Sequence, residues 1–268
     1  MQEPSLLFAF GLTLLAGLAT GVGSLLAYFT GRTNTRFFSL ALGASGGVMI
    51  YISFLEILPE AQQKLTSALG QGPGSWAATA AFFAGILLIA VIDRLVPETG
   101  NPHEVRRIES CTDCKDGGDR MLRMGLFTAL TIAVHNFPEG LAAFISAMQD
   151  TSVGIAVAIA IAIHNIPEGI AVFVPVYLAT GSRRKAFLLS FLSGLSEPLG
   201  ALVGYFFLLP FYNDVVSGSI FALVAGIMVF ISLDELLPTA REYGEAHLAI
   251  YGVIAGMLVM AVSLLLLT

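Results

Sequence analysis

Charge is scarce in this chain. Only 12% of its 268 residues are Asp, Glu, Lys or Arg, against 56% that are hydrophobic, and the mean hydropathy is +0.83. A soluble domain carries about 25% charged residues, so this composition excludes one. It fits a bilayer, whose hydrocarbon core of about 30 Å takes one helix for every ~20 apolar residues. Basic residues are scarcer than acidic ones, 13 against 19 for a net charge of -6, which excludes a nucleic-acid partner. The two cysteines, Cys111 and Cys114, make no disulfide framework. No HExxH occurs, so the commonest motif of a zinc protease is missing.

What is there is a series of apolar runs. They predict an all-α polytopic membrane protein with eight transmembrane helices, roughly 5–29, 37–60, 76–96, 124–148, 153–179, 186–209, 216–239 and 246–267. The whole of 1–268 reads as one transmembrane domain, and the first run, without a basic n-region, reads as a retained span rather than a cleaved signal peptide. Lys and Arg test the count. Alternate loops hold Arg32 and Arg36; Arg94, Arg106, Arg107, Lys115, Arg120 and Arg123; Arg183, Arg184 and Lys185; and Arg241, twelve in all, while the opposite loops hold only Lys64. By the positive-inside rule both termini lie outside the plasma (inner) membrane, and residues 97–123 form a cytoplasmic loop.

Two internal repeats are visible. GVMIYISFLEILPEA at 47–61 matches GIMVFISLDELLPTA at 226–240 at eight of fifteen positions. These segments fall in the second and seventh helices, which cross the membrane in opposite directions, as in inverted-repeat transporters. HNFPEG at 135–140 and HNIPEG at 164–169 fall in the adjacent, antiparallel fourth and fifth helices.

The polar residues of these motifs collect at one depth. His135, Asn136, Glu139, His164, Asn165, Glu168 and, on the sixth helix, Glu197 all lie within about 3 residues of their helix midpoints, or about 5 Å. An uncompensated carboxylate there costs at least ~2.5 kcal/mol, so three call for a cation, protons or water. His and Glu four residues apart share one helix face, a spacing suited to one metal ion. Asn at the next position points about 100° away, toward an adjacent site that Glu139 or Glu168 can share. The motif proline leaves the carbonyl of Val134 or Ile163 without its helical donor, and Gly140 and Gly169 allow close helix approach. Two neutral imidazoles with two carboxylates carry -2, which one divalent cation cancels; Glu197 makes -3. Mixed N and O ligands without thiolate suit Zn, Fe(II), Mn, Co or Cd, and the imidazoles argue against Ca and Mg. Such a site, when empty, is expected to take up protons.

The doubled HNxPEG, with SGLSEPLGA at 193–201, resembles the ZIP (Zrt-, Irt-like protein) family of divalent metal transporters in its bacterial branch, along essentially the whole chain. The resemblance implies eight helices in a 3+2+3 arrangement, helices 1–3 and 6–8 related by inversion, and a homodimer. It implies a first metal position at His135, Glu139, His164 and Glu168, and a second at Asn136, Glu139, Asn165, Glu168 and Glu197. The family's long His-rich loop is absent, since the third loop has only His103.

Other residues are candidates for a path. Glu56 and Glu60, one turn apart, stand near the outer end of the second helix, and Asp234 and Glu235 toward the inner end of the seventh, with Ser53 and Ser232 at matched repeat positions. Cys111, Cys114 and His103 supply only half of a zinc-binding set in the polar loop. The expected function is transport of Zn2+, Fe2+, Mn2+, Co2+ and Cd2+ into the cytoplasm, with the metals as substrates and no cofactor. The alternatives are a membrane-embedded metalloenzyme and a metal sensor.

Overall fold

The computed structural model describes residues 6–29, 35–95, 116–208, 211, 213–243 and 246–267. Among them no strand occurs, and the helices in chain order are α1 (Leu6–Phe29), α2 (Thr35–Ile52), α3 (Leu58–Leu69), α4 (Gln71–Leu95), α5 (Asp116–Gln149), α6 (Thr151–Thr180), α7 (Arg183–Gly194), α8 (Ser196–Val203), α9 (Asp214–Ile231), α10 (Leu237–Tyr243) and α11 (Ala246–Leu267). Single π-helical turns at Ser53–Ile57 and Ser232–Leu236 join α2 to α3 and α9 to α10, and a third at Gly204–Leu208 extends α8. With α7 and α8 meeting at Leu195, the described residues make eight rods, as the apolar runs predict.

Polar side chains punctuate the rods. Asp150 caps α6 by accepting from the backbone N–H groups of Ser152 and Val153 at 2.7 and 3.0 Å, while Ser182 and Asn213 cap α7 and α9. Gly70 and Gly181, at φ 88° and 65°, end α3 and α6 in conformations that only glycine adopts without strain.

Several rods run past the predicted ends. The second continues to Leu69, because α3 is amphipathic, with Ala61 and Leu65 buried on one side. The fourth starts at Asp116 rather than 124, so residues 116–123, expected in a loop, form its first turns. At 34 residues it is about 50 Å long, more than the hydrocarbon thickness. Seven helices among the described residues are long and apolar enough to cross a membrane. The polar α5 is the eighth rod.

The packing obeys an inversion that exchanges α1 with α7–α8, α2–α3 with α9–α10, α4 with α11, and α5 with α6. Thus α2 packs on α11 as α9 packs on α4, and α6 packs on α1 as α5 packs on α8. Burial follows the same pairing. The spanning windows of α4 and α11 are each 22% buried, against 67% in both α6 and α9, so α4 and α11 lie outermost and expose Phe83, Leu87, Leu258 and Leu265 to lipid. Rod directions agree with alternate crossing: Gly43 meets Ala249 and Gly47 meets Val253 in parallel, whereas Ala147 meets Gly154 and Glu139 meets His164 in antiparallel order.

Candidate metal centre

The HNxPEG motifs lie inside α5 and α6, with Pro138 and Pro167 within the helices. Each proline withholds a backbone donor at the level of the motif. The glycine that follows decides what packs beside it. A Cβ on Gly140 would stand 2.0 Å from the Glu197 carbonyl oxygen, and one on Gly169 2.0 Å from that of Thr20. Bare glycines therefore bring α5 onto α8 and α6 onto α1, with Glu139 and Glu168 one residue before each contact.

The polar side chains gather there, away from water. Asn136, Glu139, His164, Asn165, Glu168 and Glu197 are all buried. His164 Nε2 lies 3.0 Å from Glu139 Oε2, and Nδ1 lies 3.1 Å from the Ala160 carbonyl oxygen. Asn165 Nδ2 donates to the Ala16 carbonyl at 2.9 Å and to Glu197 Oε1. With its amide oriented by the hydrogen-bond network, Asn136 donates to the Ile132 carbonyl at 3.0 Å and to Glu168 Oε2 at 3.1 Å. Each carboxylate thus faces a His or Asn from another motif, the compensation that buried acids require.

Among the described residues, no three His, Cys, Asp or Glu side chains surround one point as a finished coordination sphere. Donors and acids meet in pairs instead. His164 is oriented as metal-ligating histidines are, with Nδ1 on a backbone carbonyl and Nε2 turned to a carboxylate. Two further buried oxygens, Asn165 Oδ1 and Glu197 Oε2, accept no hydrogen bond among the described residues. His135 occupies α5 just before Asn136, and its side chain is not among those described.

A cavity of about 250 Å³ reaches this cluster, and its lining includes Glu56, Glu60, Glu139, Ser146, Ser152 and His164. Its lining extends to Ser146, Ser152 and Val153, which flank the turn where α5 passes into α6. Glu60 pairs with Lys64 at 3.4 Å, and the Lys64 ammonium stands 5.6 Å from the centre of the Phe221 ring, which also lines the cavity.

The remaining predicted residues are placed differently. Ser53 and Ser232 are buried, and their hydroxyls donate to the Met49 and Met228 carbonyls at 2.6 and 2.7 Å. Each marks the first residue of a π turn, so the matched serines accompany matched breaks in helical winding. Asp234 and Glu235 lie in the second of these turns. Cys111, Cys114 and His103 lie outside the described residues.

Sequence reasoning placed the first helix but missed its part in the cluster. Ala16 accepts from Asn165, and the backbone of Thr20 meets Gly169. A third repeat carried the signal: AGLATGVG at 16–23 aligns with SGLSEPLG at 193–200, identical at Gly17/Gly194, Leu18/Leu195 and Gly23/Gly200. Thr20 there matches Glu197.

Comparison with known proteins shows the family to which the chain belongs. Residues 98–264 match the family profile "ZIP Zinc transporter". The chain is 62% identical over 268 residues to "Zinc transporter ZupT" of Lysinibacillus sphaericus, covering 99% of this chain and 100% of that one. It is 63% identical over 258 residues to the protein of that name from Streptococcus mutans, with 96% and 97% coverage. With that from Nitratidesulfovibrio vulgaris it shares 58% over 274 residues, 99% of each chain. The chain is a multi-pass membrane protein that belongs to the ZIP family of zinc transporters, which are transporters rather than enzymes.

Proposed function

We propose that this chain carries zinc, together with Fe(II), Mn, Co and Cd, into the cytoplasm through the buried cluster on α5, α6 and α8. One observation carries the reading: a cavity of about 250 Å³ is lined in part by Glu139 and His164, which meet at 3.0 Å and are buried together with Glu168 and Glu197. A divalent ion entering here replaces hydration oxygens by imidazole and carboxylate, and its charge takes over the role that the His and Asn donors play in the empty site.

The first metal position uses His135, Glu139, His164 and Glu168, and the second uses Asn136, Glu139, Asn165, Glu168 and Glu197. Glu56 and Glu60 attract the cation at the outer mouth, and Asp234 and Glu235 receive it on the inner side. Both termini lie outside the plasma membrane, the 97–123 segment faces the cytoplasm, and the working unit is a homodimer. The ligand set contains no thiolate, so discrimination among borderline metals is weak.

The test is uptake into proteoliposomes filled with a fluorescent chelator. Saturable flux of Zn, Fe(II), Mn, Co and Cd, each competing with the others, is expected. Flux of one of them alone, unaffected by the rest, would contradict the broad selectivity.

A further inference from the structure

The inversion reaches into the cluster itself and pairs Thr20 with Glu197. A Cβ on Gly140 would meet the Glu197 carbonyl oxygen, and one on Gly169 that of Thr20, both at 2.0 Å. In return, Cβ atoms on Gly200 and Gly23 would meet the carbonyl oxygens of Phe137 and Ile166 at 2.0 and 1.7 Å. Phe137 and Ile166 hold the same place in HNxPEG, and the two glycines lie three residues after Glu197 and Thr20. Where the two rods cross, Cβ atoms on Gly17 and Gly194 would each stand 2.5 Å from the other's carbonyl oxygen. Four contacts and their centre thus assign Thr20 on α1 the station that Glu197 holds on α8.

Thr20 is fully buried, and its hydroxyl has no hydrogen-bond partner among the described residues. Among the described residues it shares this with the buried hydroxyls of Ser39 and Ser146. The hydroxyls of Thr13, Ser24, Ser53, Thr180 and Ser232 each donate to the carbonyl four residues back, the ordinary habit of a helical Ser or Thr. The corresponding carbonyl for Thr20 is Ala16, and it already accepts from Asn165 Nδ2. The same amide donates to Glu197, so Asn165 ties the turn below Thr20 to the carboxylate. Three buried oxygens without donors result: Thr20 Oγ1, Asn165 Oδ1 and Glu197 Oε2. Buried oxygens left without donors are unfavourable, and a cation is a partner that suits oxygens of this kind.

We propose that Thr20 is a ligand of the second cation position, giving a neutral hydroxyl oxygen from α1 opposite the carboxylate from α8. This rests on the cluster being the metal site. The inversion therefore supplies an oxygen on each side but a charge on only one, which holds the site at its three carboxylates and favours release.

The test is zinc binding to the purified full chain against a competing chelator, resolved into two dissociation constants, with the melting temperature of the metal-free protein measured in parallel. Thr20→Val, which keeps the shape and removes the oxygen, should weaken the second ion at least about tenfold, leaving the first ion and the metal-free melting temperature unchanged. Thr20→Ser should bind as wild type. Wild-type binding of both ions by Thr20→Val, or equal loss in Thr20→Val and Thr20→Ser, would overturn the proposal. Glu139→Ala separates this from the parent reading: if it binds two ions normally the cluster is not the metal site, whereas loss in Glu139→Ala beside normal binding in Thr20→Val removes Thr20 alone.

Discussion

His164 directs Nε2 at Glu139 Oε2 across 3.0 Å while its Nδ1 faces the Ala160 carbonyl at 3.1 Å. Both ring nitrogens therefore meet acceptors, and a neutral imidazole has one N–H. Without a metal, a second proton must lie between Nε2 and the carboxylate. A cation bound there displaces it.

Zinc binding should therefore release about one proton per ion near neutral pH, and affinity should fall as pH is lowered, because proton and metal compete for the same electron pairs. Calorimetry in buffers of differing ionisation enthalpy reads this directly. An observed enthalpy independent of the buffer would contradict it.

The glycine contacts predict a contrast within one class of substitution. Gly140→Ala and Gly169→Ala drive a methyl to 2.0 Å from a backbone oxygen and should cost about 1–3 kcal/mol by overpacking, with loss of transport as α5 or α6 is pushed off its neighbour. Gly11→Ala, with nothing within 4 Å, should leave both unchanged. Thermal melting and uptake, measured together, check all three.

On the proposed path, Glu56 and Glu60, which line the cavity, serve arrival rather than translocation. Glu56→Gln with Glu60→Gln should raise KM for zinc roughly 2–10-fold with little change in maximal flux, and the effect should shrink as ionic strength rises. A fall in maximal flux at unchanged KM would place these residues on the translocation step instead.

Cys111→Ser with Cys114→Ser should leave zinc uptake at the wild-type rate, since two thiols are half of a zinc-binding set. Uptake assays on the double variant decide this, and a large loss of flux would give the loop a part in transport.

Much of this fold was legible because the bilayer imposes simple rules. The twelve basic residues on one side of the count fixed eight crossings, and the doubled HNxPEG located the cluster at Asn136, Glu139, His164, Asn165 and Glu168. Glu197 was legible for the same reason, as a carboxylate that hydrocarbon would reject without compensation. The π turns at Ser53–Ile57 and Ser232–Leu236 were not, because one extra residue per turn changes neither hydropathy nor length perceptibly. Residues 116–123 were assigned to a loop because a helix emerging into water keeps no apolar pattern. Thr20 escaped because its hydroxyl is unremarkable in composition, and only Asn165 occupying the Ala16 carbonyl shows that it lacks a partner.

The measurement that reaches the central claim most directly is zinc uptake by Glu139→Ala and Glu168→Ala proteoliposomes beside wild type, with each variant first shown to be folded by its melting transition. Uptake in both should fall to that of protein-free vesicles. Wild-type flux in either folded variant would show that zinc does not pass through the cluster on α5, α6 and α8.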